Sequence, residues 1–115
     1  KENTKFLGQT QTIYEKKNWS SVMLFNNAKC QVLSPDYVNM ATGLELHRFL
    51  WLGDDNLIGE IPHHWNHLVD YDDNLPVEEL SNLHFTSGGP YFEKYLACSY
   101  ADVWFQERDN MLYAE

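Results

Sequence analysis

The residues of this chain best suited to chemistry lie in one run, Leu83-His84-Phe85-Thr86-Ser87-Gly88-Gly89-Pro90-Tyr91-Phe92. Leu83 and Phe85 alternate with His84 and Thr86, the period of a half-buried strand. Gly88 and Gly89 allow a tight turn and a close approach of bare backbone to a ligand. Pro90 suits the first position of a helix, where its missing N–H has no helical partner to lose. A strand–turn–helix junction of this kind presents free N–H groups and the positive end of a helix dipole, a setting for an anion such as a diphosphate. His84 stands just before the turn, where a neutral imidazole can bind a metal ion that bridges to the anion. The same run also serves as an ordinary connection with a hydrogen-bonded histidine.

A second group of candidate ligands is His63-His64-Trp65-Asn66-His67. On a helix His63 and His67 share a face. Trp65 and Asn66 interrupt the H-E-x-x-H pattern, and Pro62 points to extended backbone. On a strand the two rings lie about 13 Å apart, too far for one zinc ion. Asp70-Tyr71-Asp72 matches Asp-x-Asp, but in an acidic loop it reads first as a solvated turn. Cys30 and Cys98 stand in no metal or redox motif and read as buried free thiols in a reducing, cytoplasmic setting, with one bridge between them as the other reading.

The elements that must position these residues follow from the pattern of apolar residues. The 115 residues are 43% hydrophobic and 15% aromatic, enough for a single globular domain over 1–115 with a modest core. A net charge of −9 argues against nonspecific binding to nucleic acid. No apolar run approaches the roughly 20 residues needed to span a bilayer, and none reads as a signal peptide. The chain begins at Lys1 rather than Met, which keeps a processed or truncated product in view. Residues 1–18 read as a polar surface loop or arm. Residues 22–26, Val-Met-Leu-Phe-Asn, read as a strand covered on both faces, with Asn26 at its edge lining a crevice. Trp19 ahead of it reads as a packing residue, with a sugar platform as the other reading.

Ser34-Pro35 opens a short helix through Met40, serine as cap and proline at the first position. Thr42 and Glu45 have capping-box spacing and open a second helix. Its apolar stripe runs through Leu46, Phe49 and Leu50, extended by Leu44, Trp51 and Leu52, and Gly53 ends it. Glu45 reads as a cap, with a catalytic carboxylate as the other reading. Residues 77–80 predict a helical turn, residues 90–97 a helix, and Ser99 the cap of a last helix with Ala101, Trp104 and Phe105 inward. The whole is mixed α/β with an incomplete sheet packed by helices.

Taken together, several segments resemble the C-terminal half of nucleotide-sugar glycosyltransferases of the GT-A fold, most of all the family 8 (glycogenin and galactosyltransferase-like) group and its bacterial relatives. Trp19-Ser20-Ser21-Val22-Met23-Leu24-Phe25-Asn26 resembles that family's Asn-Ala/Ser-Gly strand, which ends in Asn and lines the donor-sugar pocket. Ile61-Pro62-His63-His64-Trp65-Asn66 resembles its Leu-Pro-x-x-Trp-Asn segment. The organising run resembles its His-Phe-x-Gly-x-x-Lys-Pro-Trp segment. The resemblance implies that His84 is a ligand of a Mn²⁺ or Mg²⁺ ion holding the donor diphosphate. It implies that Gly88, Gly89 and Pro90 shape the diphosphate loop and that Trp19, Ser20, Ser21 and Asn26 belong to the donor-sugar side. The reaction implied is transfer of a sugar from a nucleotide diphosphate to an acceptor.

Departures from the family pattern are specific. The family's Asp-x-Asp strand belongs upstream of the matched segments. Gly89 stands where a lysine is usual, Ser21 where the strand has glycine, and Gly43-Leu44-Glu45 where Asp-Gln-Asp is usual, so that Glu45 alone keeps a carboxylate. The resemblance therefore implies a part of a sugar transferase, lacking the nucleotide-binding N-terminal half and with little activity alone. A small noncatalytic binding or assembly module, covering its strand edges by forming a homo-oligomer, is the alternative.

Overall fold

The computed structural model describes residues 19–114. The arm expected over residues 1–18 lies outside them. The chain divides into two compact units, Lys1–Ile61 and Pro62–Glu115.

The first unit is built from short helical pieces whose starts are set by local hydrogen bonds. Helix α1, Pro35–Met40, is capped by Ser34, whose hydroxyl accepts the Tyr37 N–H at 3.1 Å, with Pro35 in the first turn. Helix α2, Gly43–His47, carries the full capping box: Thr42 Oγ1 accepts the Glu45 N–H at 3.2 Å and Glu45 Oε2 accepts the Thr42 N–H at 2.7 Å. Each side chain satisfies a donor that the first helical turn leaves open.

Two expectations for this unit are corrected. The stripe from Leu46 to Leu52 is not one helix. Phe49 adopts a left-handed backbone (φ 58°), and Leu50–Leu52 continues as a 3₁₀ turn ended by Gly53 at φ 80°. A positive φ cannot continue an α-helix. The break brings Trp51 within ring contact of Phe25 (6.3 Å, stacked) and Phe49 (6.4 Å, edge-on), and the Trp51 indole N–H donates to the Leu46 carbonyl at 3.3 Å. The strand expected over residues 22–26 is not formed either. No strand is described in this unit to pair with it, and a lone strand leaves its backbone groups unmatched. The run ends instead in the turn Asn27–Lys29, where the Lys29 N–H reaches the Asn26 carbonyl at 2.9 Å. Leu24 is 86% exposed rather than enclosed.

The second unit is organised by a two-strand parallel ladder, β1 (His67–Leu68) and β2 (Leu83–His84), in the register His67 with Leu83 and Leu68 with His84. The His67 N–H donates to the Asn82 carbonyl at 3.1 Å and the Val69 N–H to the His84 carbonyl at 3.0 Å. Parallel strands cannot be joined by a tight hairpin, and residues 69–82 make the crossover through the 3₁₀ turn Val77–Glu79. The helical turn expected there is present. The buried residues of this unit are His67, Val69, Gly88, Gly89 and Pro90.

The helix expected over residues 90–97 is replaced by consecutive short turns. Phe92 N–H bonds Gly89 O, Tyr95 N–H bonds Phe92 O, Leu96 N–H bonds Glu93 O and Cys98 N–H bonds Tyr95 O, all at a spacing of three residues. The only regular piece is the 3₁₀ turn Glu93–Tyr95, so Pro90 starts no helix. The last helix, α3, spans Ala101–Tyr113 and is capped by Tyr100 in the left-handed conformation (φ 57°), not by Ser99. Ser99 is committed elsewhere: its N–H reaches Asp70 Oδ1 at 3.3 Å and its hydroxyl accepts from Asn74 at 3.2 Å. Trp104 and Phe105 of α3 are half-buried, as expected. Trp104 meets the Tyr91 ring at 5.5 Å, and Arg108 lies over Phe105 at 4.9 Å. The described residues thus combine helix with a small sheet, and none of their helices is long and apolar enough to cross a membrane.

Candidate functional site

His84 closes strand β2 and is half-buried. Its Nδ1 meets Asn66 Oδ1 at 3.0 Å. Asn66 ends the His63–Trp65 turn immediately before β1, and the parallel register that sets His84 beside Leu68 brings the ring within reach of it. An amide oxygen in that position accepts from a protonated Nδ1, the tautomer that leaves the lone pair on Nε2. That is the form in which an imidazole binds a metal ion.

Beyond β2 the chain turns through Gly88, whose φ of 137° lies in the region that side chains rarely adopt. A Cβ there would stand 2.7 Å from Tyr95 Cε2 and 3.2 Å from Phe92 Cδ2. A Cβ on Gly89 would run into the Tyr91 ring. Gly88, Gly89 and Pro90 are all buried, the two glycines against aromatic side chains. Because no helix begins at Pro90, the helix dipole expected to favour an anion here is missing. Within the turn the Gly88 N–H donates to the Phe85 carbonyl at 3.2 Å and Pro90 carries no N–H, so of these three residues Gly89 alone has a main-chain donor to offer an anion.

The other three histidines of this unit go to three different partners. His63 Nε2 pairs with Asp72 Oδ2 at 2.7 Å, and His64 Nδ1 with the Ser81 hydroxyl at 2.8 Å. His67 is 1% exposed, its ring meets Tyr100 edge-on at 5.5 Å, and its Nε2 is buried without a hydrogen-bond partner. Among the described residues no group of three or more His, Cys, Asp or Glu side chains is placed to share a metal ion. A hard divalent ion takes about six oxygen or nitrogen ligands, so His84 fits one position of such a shell and the remainder must come from elsewhere.

The Asp-x-Asp pair lies in a turn, where the two carboxylates separate. Asp70 adopts φ 63° and serves the Ser99 N–H, whereas Asp72 Oδ2 accepts the Leu68 N–H at 2.7 Å and faces His63. The Leu68 N–H holds the Asp72 carboxyl below its usual value; burial opposes it less strongly, and the hydrogen bond from His63 adds to the lowering. Glu45 is likewise lowered, by the Thr42 N–H and then the Thr42 hydroxyl, and its carboxylate is occupied as a helix cap. Cys30 and Cys98 are half-buried free thiols. Burial, and then the nearby Asp70 charge, pushes the Cys98 thiol up.

Trp19, Ser20, Ser21 and Asn26 belong to the first unit. Trp19, Ser20 and Ser21 form a 3₁₀ turn, with Trp19 53% exposed. Ser20 lines an apolar hollow of about 380 Å³ together with Met23, Phe25, Phe49 and Trp51. Asn26 is exposed at the start of the Asn27–Lys29 turn. His84 and the glycines belong to the second unit. Asn66 is the functional neighbour that sequence reasoning passed over. The signal available was its place at the end of Trp65-Asn66, just before an alternating segment whose partner ends in His84.

Protein CDI of Arabidopsis thaliana is 43% identical over an alignment of 115 residues, which takes in 96% of this chain and 44% of that protein. The chain thus spans less than half the length of the curated relative it matches. No family model matches, and no solved structure matches.

Proposed function

We propose that this chain carries the histidine-and-glycine part of the donor site of a metal-dependent glycosyltransferase, one that moves a sugar from a nucleotide diphosphate to an acceptor. The observation that supports it is His84: half-buried, held through Nδ1 by Asn66, and followed by the Gly88-Gly89-Pro90 turn in the order that the GT-A resemblance requires. His84 Nε2 would hold a Mn²⁺ or Mg²⁺ ion. Such an ion, when bound, stabilises negative charge on a departing diphosphate. Gly88 and Gly89 bring main chain to the same end of β2. Glu45, in the first unit, is better used as a cap than as a catalyst.

The experiment is titration calorimetry with UDP and Mn²⁺ on the wild type and on His84→Ala. Binding of UDP that requires Mn²⁺ and is lost in His84→Ala supports the proposal. Binding indifferent to both the ion and the substitution overturns it.

A second reading, a noncatalytic assembly module, is favoured by a different observation. Val69 is the single buried hydrophobic residue among the described ones, while Trp19, Leu24, Met40, Leu57 and Met111 are more than half exposed. So small a buried core suits a chain that completes its apolar burial against a partner. Analytical ultracentrifugation separates the readings: a stable homo-oligomer that binds no nucleotide favours the module.

A further inference from the structure

We propose that the outer edge of β2 is a self-pairing surface, on which a second copy of this chain adds its own β2 antiparallel about a two-fold axis at Leu83. The inference rests on the assembly reading above and names the surface through which the copies meet.

The ladder uses one side of each strand. On β2 the Asn82 and His84 carbonyls face β1, where they receive the His67 and Val69 N–H groups. Main-chain groups alternate sides along a strand, so both groups of Leu83 and the N–H of Phe85 fall on the outer side. Among the described residues these three groups have no hydrogen-bond partner. β1 is the opposite case. Its outward N–H, at Leu68, is taken by Asp72 Oδ2 at 2.7 Å, and the Leu68 carbonyl accepts from the Tyr71 and Asp72 N–H groups at 3.1 and 2.9 Å. A loop of the same unit closes one edge, and the other keeps a row of donors and acceptors that extended main chain matches.

One antiparallel register is self-consistent. With Leu83 opposite Leu83 of the second copy, the two residues exchange both N–H···O=C bonds. Two residues on, the Phe85 N–H meets the Ser81 carbonyl of the second copy, which also has no partner among the described residues. The other two groups at that position, the Ser81 N–H and the Phe85 carbonyl, are already engaged with His64 at 2.9 Å and Gly88 at 3.2 Å. The register therefore uses the free groups and passes over the occupied ones. Residues 81–86, Ser-Asn-Leu-His-Phe-Thr, contain no Asp, Glu, Lys or Arg, so two chains of net charge −9 can meet along this row without like charges opposed. With β1 closed by Asp72, addition ends at two copies.

The test is analytical ultracentrifugation of the 115-residue chain over a range of concentrations, read together with amide hydrogen exchange. We expect a monomer–dimer equilibrium in which exchange at the Leu83 and Phe85 amides slows as dimer forms. Leu83→Pro removes the outward N–H and leaves the β1 ladder bonds in place. With native secondary structure confirmed by circular dichroism, it should dimerise about 10- to 100-fold more weakly, because the two-fold axis repeats the lost bond. A dimer whose Leu83 amide exchanges as fast as in the monomer, or one that the folded Leu83→Pro variant leaves unchanged, overturns the edge and keeps the assembly reading, the copies then meeting elsewhere. A chain that stays monomeric at every concentration overturns both and leaves the edge to a strand of another protein.

Discussion

The Tyr100 hydroxyl closes both main-chain hydrogen-bonding groups of Leu75: it accepts the Leu75 N–H at 2.8 Å and donates to the Leu75 carbonyl at 2.7 Å. Asn74 to Ser99 and Ser99 to Asp70 flank this clamp, so one short segment ahead of α3 secures the loop after β1. Tyr100→Phe keeps the ring edge against His67 and removes both bonds. We expect a loss of about 1 kcal/mol in urea unfolding, modest because the bonds are exposed to water. A loss much larger than that would mean that the clamp holds the whole unit.

Gly88 and Gly89 differ in what they tolerate. Gly88→Ala places a methyl group 2.7 Å from the Tyr95 ring at φ 137°, so space and backbone both object. Its expected cost is about 1–3 kcal/mol. In Gly89→Ala the nearest atoms belong to the Tyr91 ring, which is 54% exposed and can swing aside. Thermal melts should therefore rank Gly88→Ala well below Gly89→Ala. Adding Tyr95→Ala should recover only part of the Gly88→Ala loss, because the backbone strain stays.

His67 offers a test of a buried polar atom. A buried donor or acceptor without a partner costs stability, and replacing it by an apolar group of similar shape is neutral or better. His67→Phe should leave the melting temperature unchanged or raise it. A clear fall would show that Nε2 has a partner, such as a bound water.

Asp72 sets an acid limit. Its folded pKa lies below the unfolded value, so its contribution to stability is complete above the unfolded pKa and disappears as pH falls through the folded one. Melting temperatures of the wild type should drop as pH is lowered through the carboxylate range. In Asp72→Asn that drop should be shallower, with the near-neutral value already reduced.

The caps of the first unit can be weighed singly. Ser34→Ala and Thr42→Ala each remove an N-cap acceptor and should cost about 1 kcal/mol in chemical denaturation. Ser34→Gly should cost only a few tenths of that.

These caps were also the most legible features of the sequence. Ser34 with Pro35, and Thr42 with Glu45, act within three residues of themselves, so their effect is written locally. Gly53 and the Val77–Glu79 turn belong to the same kind. What failed to show was whatever depends on distant partners. The apolar run at 22–26 carries strand-like residues, but a strand exists only beside another, and its sequence does not say whether one is there. Pro90 followed by Tyr91 and Phe92 reads as a helix start, yet aromatic rings lying over Gly88 and Gly89 hold that segment in three-residue turns. Ser99 has the composition of a cap, but bonds to Asp70 and Asn74 across 25 residues or more engage it first. Of the candidate site, the His84 end was legible from residue order, while its contact with Asn66 needed the register.

The parallel ladder has a consequence for how the chain is made. Synthesis delivers β1 well before β2, so the amides of His67 and Val69 leave the ribosome before Asn82 and His84 exist to receive them. A nascent chain halted within residues 69–82 would display that unmatched edge and the imidazole of His67 to whatever holds unfinished polypeptides. The second unit can consolidate only once residue 84 has emerged.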